Sequence, residues 1–64
     1  MAVVTIDILE GRDRETKNRL MKKLTEAVIE TLDAKPHQVR VIVNEVKDGD
    51  YAVGGTPIFL KDHE

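Results

Sequence analysis

One amphipathic segment restricts what this chain can fold into more than any other feature. Between Asp13 and Asp33, Leu20, Leu24, Val28 and Leu32 recur every four residues, flanked by Met21, Ala27 and Thr31. That spacing gathers apolar side chains on one side and predicts a helix with one face laid on a core. Asp13 is positioned to cap its amino end by accepting a hydrogen bond from a free backbone N–H. Pro36 predicts the stop, because the residue before a proline disfavours helical geometry. Lys17, Lys22, Lys23, Glu26 and Glu30 fall on the other side, with Glu15–Arg19 and Lys22–Glu26 at ion-pair spacing. These charges read as a solvated face, not as a binding patch.

Segments of period two lie on either side. From Ala2 to Leu9, Val4, Ile6 and Ile8 share one face, and Val3, Thr5, Asp7 and Leu9 share the other. That alternation of β-branched residues predicts a strand. Glu10-Gly11-Arg12 makes a short turn into the helix, with Gly11 free to take a backbone angle that other residues resist. A second strand is expected from about Gln38 to Val46, with Val39, Val41 and Val43 on one face and Arg40, Ile42 and Asn44 on the other. Two strands joined through a long helix can pair in parallel by a right-handed crossover. The helix then covers one sheet face. The opposite face and both edges stay open in a monomer, so the topology itself asks for partner chains. Lys47-Asp48-Gly49-Asp50 and Val53-Gly54-Gly55-Thr56 are dense in turn formers, with Tyr51-Ala52 between them as a small hairpin arm. Pro57-Ile58-Phe59-Leu60 reads as an apolar tail expected to pack on a neighbouring subunit, and Lys61-Asp62-His63-Glu64 as a frayed end.

Sixty-four residues allow a single domain, 1–64, with a small core. There is no cysteine to staple it, so the missing stability is expected from self-association. A net charge of −2 with acids and bases interspersed gives no electrostatic reason to expect nucleic acid. One tyrosine, one phenylalanine and no tryptophan leave little on which to stack bases. No apolar run approaches the roughly 18 residues of a membrane span, and no signal-peptide pattern opens the chain. A cytoplasmic location, no membrane partner and no metal site are therefore the expectations.

Few residues can carry chemistry. Arg40 sits inside a strand of valines and isoleucine, where a guanidinium is costly to bury without an anion. Either it pairs with an Asp or Glu of a neighbouring subunit, or it clamps a substrate carboxylate. Arg12 lies at a strand-to-helix turn, a common place for anion contacts but one where lone arginines are usually solvated. His37 and His63 have no partner in sequence and read as exposed. Gly54-Gly55 lacks the surroundings of a phosphate loop and reads as a tight hairpin. With neither serine nor cysteine in the chain, no Ser–His–Asp or Cys–His set is arguable.

The order strand, Leu9-Glu10-Gly11-Arg12, helix, Val39-Arg40-Val41-Ile42, then Gly49-Asp50-Tyr51-Ala52-Val53-Gly54-Gly55 resembles the 4-oxalocrotonate tautomerase family over nearly the whole chain. The resemblance implies an α/β (α+β) fold: a tautomerase-like β-α-β unit with parallel strands and a C-terminal hairpin. It also implies a homohexamer built as a trimer of dimers, with active sites shared between subunits and no metal or cofactor. Arg12 and Arg40 match arginines that hold the carboxylates and the 2-hydroxy or 2-oxo group of a small dienoate. Tyr51 stands where the family has a phenylalanine wall, so that wall gains a hydroxyl. The departure is at the front, where the family uses a proline as general base after loss of methionine and this chain has Ala2. The implied reaction moves a proton from the 2-hydroxyl to a distant carbon and needs a neutral amine near pH 7. An ordinary α-amino group titrates at about 7.7–8.0, and burial beside two guanidiniums lowers that. Ala2 can therefore serve as base if Met1 is removed, but without the fixed φ of proline. A retained Met1 displaces the amine by one Cα step of about 3.8 Å, enough to ruin proton transfer.

The leading expectation is a weak keto–enol tautomerase, an isomerase acting on 2-hydroxydienoates, 2-oxo acids or phenylpyruvate-like enols. The alternative is a non-catalytic protein of this fold, or a structural subunit of a hetero-oligomer. A hydratase or dehalogenase ranks last, since it needs a carboxylate near the hairpin to activate water and only Asp50 is close.

Overall fold

The computed structural model of the chain describes residues 1–59, so the expectations for Leu60 and for the frayed end with His63 fall outside the described residues. The first strand, β1, spans Ala2–Leu9, the helix α1 spans Arg14–Leu32, and the second strand, β2, spans Val39–Val46. β1 and β2 pair in parallel from Ala2↔Val39 to Leu9↔Val46. Alternation sorts their side chains as expected. Ala2, Val4, Ile6 and Ile8 with Val39, Val41 and Val43 turn to the covered side, while Val3, Thr5, Asp7, Arg40, Ile42 and Asn44 are exposed. The helix packs chiefly against β2. Val39, 8 % exposed, is the most deeply buried side chain among the described residues.

The helix keeps its expected amino-terminal cap. Asp13 Oδ1 accepts from the Thr16 backbone N–H at 2.8 Å. Termination comes earlier than a proline stop implies. Asp33 turns left-handed at φ 55, and this ends the helix. Pro36 acts afterwards, keeping Lys35 extended (φ −89, ψ 151) and opening a 3-10 turn over Pro36–Gln38. Gln38 closes that turn: its N–H donates to the Lys35 carbonyl at 2.9 Å, and its side chain accepts from the Lys35 N–H at 3.0 Å.

Two details of the helix differ from the four-residue stripe. Leu32 is 64 % exposed, because it is the last helical residue and lies beyond most of the layer it would cover. Ile29 is half-buried in its place. Lys17 does not belong to the solvated face. Its side chain is only 13 % exposed, and its Nζ lies 3.0 Å from Glu45 Oε1 on β2, tying helix to sheet. On the outer face the ion pair that forms is Lys23–Glu26 at 3.7 Å.

Beyond β2, the strand β3 (Tyr51–Val53) pairs antiparallel with β4 (Thr56–Ile58) as a separate two-stranded sheet. Gly54 and Gly55, at φ 59 and 84, supply the two positive φ angles that a two-residue hairpin turn needs. Pro57 and Ile58, expected in an apolar tail packed on a neighbouring subunit, form the second arm of the hairpin. Pro57 is tolerated there because β4 is an edge strand whose missing N–H costs no ladder bond. Phe59 makes a contact within its own chain. Its ring lies against Gly49, in the turn that leads into β3.

Candidate active site

The parallel register decides which candidate residues can meet. Ala2 opens β1 opposite Val39, and Val3 stands opposite Arg40, so the start of the chain and Arg40 share one end of the sheet. The Ala2 and Arg40 side chains point to opposite faces. A backbone amine at Ala2 would not be confined to the side-chain face, because it sits at the strand's end. Arg40 Nη1 donates to the His37 carbonyl at 2.7 Å, which ties the guanidinium to the 3-10 turn before β2. A guanidinium has five N–H donors, and this tether engages one nitrogen. His37 contributes its carbonyl here and not its ring.

Arg12 stands at the other end. Its Nη1 donates to the Leu9 carbonyl at 2.9 Å, just past the end of β1. The seven steps from Ala2 to Leu9 span roughly 23 Å at about 3.3 Å each. One chain therefore does not bring Arg12 to the Ala2–Arg40 end. The hairpin leaves from the Arg12 end: the Glu10 N–H donates to the Val46 carbonyl at 2.9 Å, and Tyr51 follows five residues later. Tyr51 opens β3 as an exposed side chain opposite Ile58. Asp50, the candidate water-activating carboxylate, is exposed beside it, and its N–H donates to the Lys47 carbonyl at 2.8 Å.

The electrostatics favour an anionic ligand. Among the described residues no acidic side chain pairs with Arg12 or Arg40; the ion pairs are Lys17–Glu45 and Lys23–Glu26. Both arginines lie exposed, one toward each end of the sheet. Among the described residues no group of three or more His, Asp or Glu side chains is arranged to hold a metal ion. The described helix is not long and apolar enough to cross a membrane.

The sequence did not reveal the two carbonyl tethers or the Phe59–Gly49 contact. The available signals were weak: each arginine lies three residues after its acceptor, and Gly49 precedes the only tyrosine by two.

A family model described as "Tautomerase enzyme" matches residues 3–60. A 2-hydroxymuconate tautomerase of Pseudomonas putida is 42 % identical over 55 residues, covering 86 % of this chain and 87 % of that one. A 4-oxalocrotonate tautomerase isozyme of Methylibium petroleiphilum superposes with a TM-score of 0.85 at 34 % identity, covering 95 % of both chains. A heterohexameric 4-oxalocrotonate tautomerase of Chloroflexus aurantiacus gives 0.84 at 34 % identity, covering 91 % of this chain and 94 % of that one. The β-α-β unit with its glycine-turned hairpin, the two carbonyl-tethered arginines and these matches along nearly the full length agree, and the chain belongs to the tautomerase family of isomerases.

Proposed function

We propose that this chain is the subunit of an oligomeric tautomerase that converts small 2-hydroxydienoates to their 2-oxo isomers. In this reading the primary amine of Ala2, exposed by loss of Met1, takes the proton from the 2-hydroxyl. The electron pair moves through the diene, and the same proton is returned at the distant carbon, so the product is an isomer and nothing is consumed. Arg40 holds the carboxylate and 2-oxygen near the amine, Arg12 from a neighbouring chain holds the far end, and Tyr51 walls the site. The names of the relatives, a 2-hydroxymuconate tautomerase among them, support the substrate class. The observation that carries the assignment is the shared sheet end of Ala2 and Arg40. A base and an anion clamp at one point are the minimum that this proton shuttle needs.

The test is a tautomerase assay on 2-hydroxymuconate, using protein whose intact mass shows Ala2 as the first residue. Turnover above the buffer rate is expected. Arg40→Ala should weaken binding of a dicarboxylate inhibitor by about 2–5 kcal/mol, the range for losing one partner of a buried charge pair, while the assembly keeps its mass. Turnover at background in correctly processed oligomer would sink the proposal. Loss of the oligomer on Arg40→Ala would instead identify Arg40 as half of a subunit-interface ion pair.

A further inference from the structure

The hairpin that carries Tyr51 forms its own two-stranded sheet, with no ladder to β1 or β2. Such a hairpin is marginal in water by itself, so something else must hold it. Phe59 is placed to do so. It follows Ile58, the cross-strand partner of Tyr51. Its ring lies so close to Gly49 that a β-carbon there would sit 2.5 Å from Cε1, 3.0 Å from Cζ and 3.2 Å from Cδ1. Glycine is required at this point twice over, for the ring and for a φ of +90. Gly49 belongs to the turn closed by the Asp50 N–H on the Lys47 carbonyl, and β3 begins immediately after it. The ring therefore joins the entry of the hairpin to its exit, on either side of Tyr51. Phe59 remains 46 % exposed, so the contact covers only part of the ring.

We propose that Phe59 is a positioning residue for Tyr51, its ring seated on Gly49 so that the hairpin cannot swing away from the active site. This rests on the reading of Tyr51 as the wall of that site. A wall contributes binding in ground state and transition state alike, so loosening it raises KM and leaves kcat unchanged.

The composition supplies a reporter, because Tyr51 is the only tyrosine and the chain has no tryptophan. In Phe59→Ala, Tyr51 fluorescence anisotropy should fall at unchanged assembly mass. KM for 2-hydroxymuconate should rise about tenfold at constant kcat, the signature of a lost uniform contact, and Phe59→Tyr should restore it. Unchanged anisotropy in assembled Phe59→Ala would overturn the proposal, as would a fall in kcat at constant KM or a failure of Phe59→Tyr to rescue. Should Phe59→Ala not assemble, the unmodified protein decides. An upfield-shifted Gly49 Hα with a cross-relaxation peak to the Phe59 ring is expected, and its absence overturns the contact. An inactive wild-type chain would sink the proposed function while leaving the anisotropy result standing, so the two failures are distinguishable.

Discussion

Ala2 differs from a proline in how its amine is held, not in whether an amine is present. A terminal proline nitrogen is a secondary amine on a ring that fixes φ, whereas the Ala2 nitrogen, once Met1 is removed as the proposed function requires, would be primary and free to rotate. The strand offsets part of this, because Ala2 is half-buried and paired with Val39. Positioned general-base catalysis is typically worth about 10²–10⁴-fold, and in the proposed mechanism Ala2 would forfeit a share of that. Ala2→Pro, with Met1 removed, should therefore raise turnover at least about tenfold with KM little changed, since in the proposed site binding of the acid groups falls to the arginines and not to residue 2. The pH–rate profile should show one ascending limb set by the amine. A rate still at background in folded oligomer would shift suspicion to the hydroxyl of Tyr51. The two arginines were legible in the sequence because one is out of place among valines and the other sits at a turn. Their tethers to the Leu9 and His37 carbonyls were not, since a three-residue hydrogen bond depends on where the backbone bends.

The elements were legible wherever one period dominates, as in β1, in β2 and in the body of α1. Reading failed where a contact from another part of the chain decides the outcome. Lys17 looks like one more surface lysine until Glu45, twenty-eight residues away, is brought over it by the crossover. Phe59 reads in the sequence as a tail residue for a neighbouring subunit, and its contact with Gly49 arises only once the double-glycine turn folds β4 back. The cap of α1 was readable because it is local, and it carries a pH signature. Hydrogen bonding from Thr16, through its side chain first and its backbone N–H second, holds the Asp13 carboxyl below its ordinary value. A carboxyl whose folded pKa is depressed contributes stability that is fully present above the unfolded value of about 3.9 and is lost as pH falls through the lower folded value. Thermal unfolding followed by circular dichroism should thus show this component vanish in acid. In Asp13→Asn, which keeps a good capping oxygen without a titrating group, the melting temperature should fall less between pH 5 and pH 2. Identical acid slopes in the two proteins would remove Asp13 from the account.

The whole molecule is too open for its length. It exposes 5112 Å², against about 4,100 Å² for a compact chain of this mass. Its radius of gyration is 14.6 Å, against about 11 Å expected for a compact 64-residue domain. The excess of roughly 1,000 Å² is comparable to the surface one partner contributes to a standard interface, about 800 Å². Val3 and Ile42, 55 % and 47 % exposed on the uncovered sheet face, are apolar residues that such an interface would bury. The candidate site makes the same demand from chemistry, with Ala2 and Arg40 at one end of the sheet and Arg12 at the other. Light scattering should accordingly report an assembly well above the 7.2 kDa chain mass, and the family resemblance sets the expectation near six chains. A mixing experiment then tests whether neighbours complete each other's sites. Arg12→Ala and Arg40→Ala should each lose most of their turnover when assembled alone. If the two arginines of a site come from different chains, random co-assembly in equal amounts leaves about a quarter of the sites with both intact. Denaturing the two variants together and refolding them should therefore restore about a quarter of wild-type activity, while refolding each separately restores none. No recovery in oligomers proven by mass spectrometry to contain both chains would mean that each site draws its arginines from one subunit. The hairpin and helix turn would then have to close over the sheet in a conformation unlike the open one seen here.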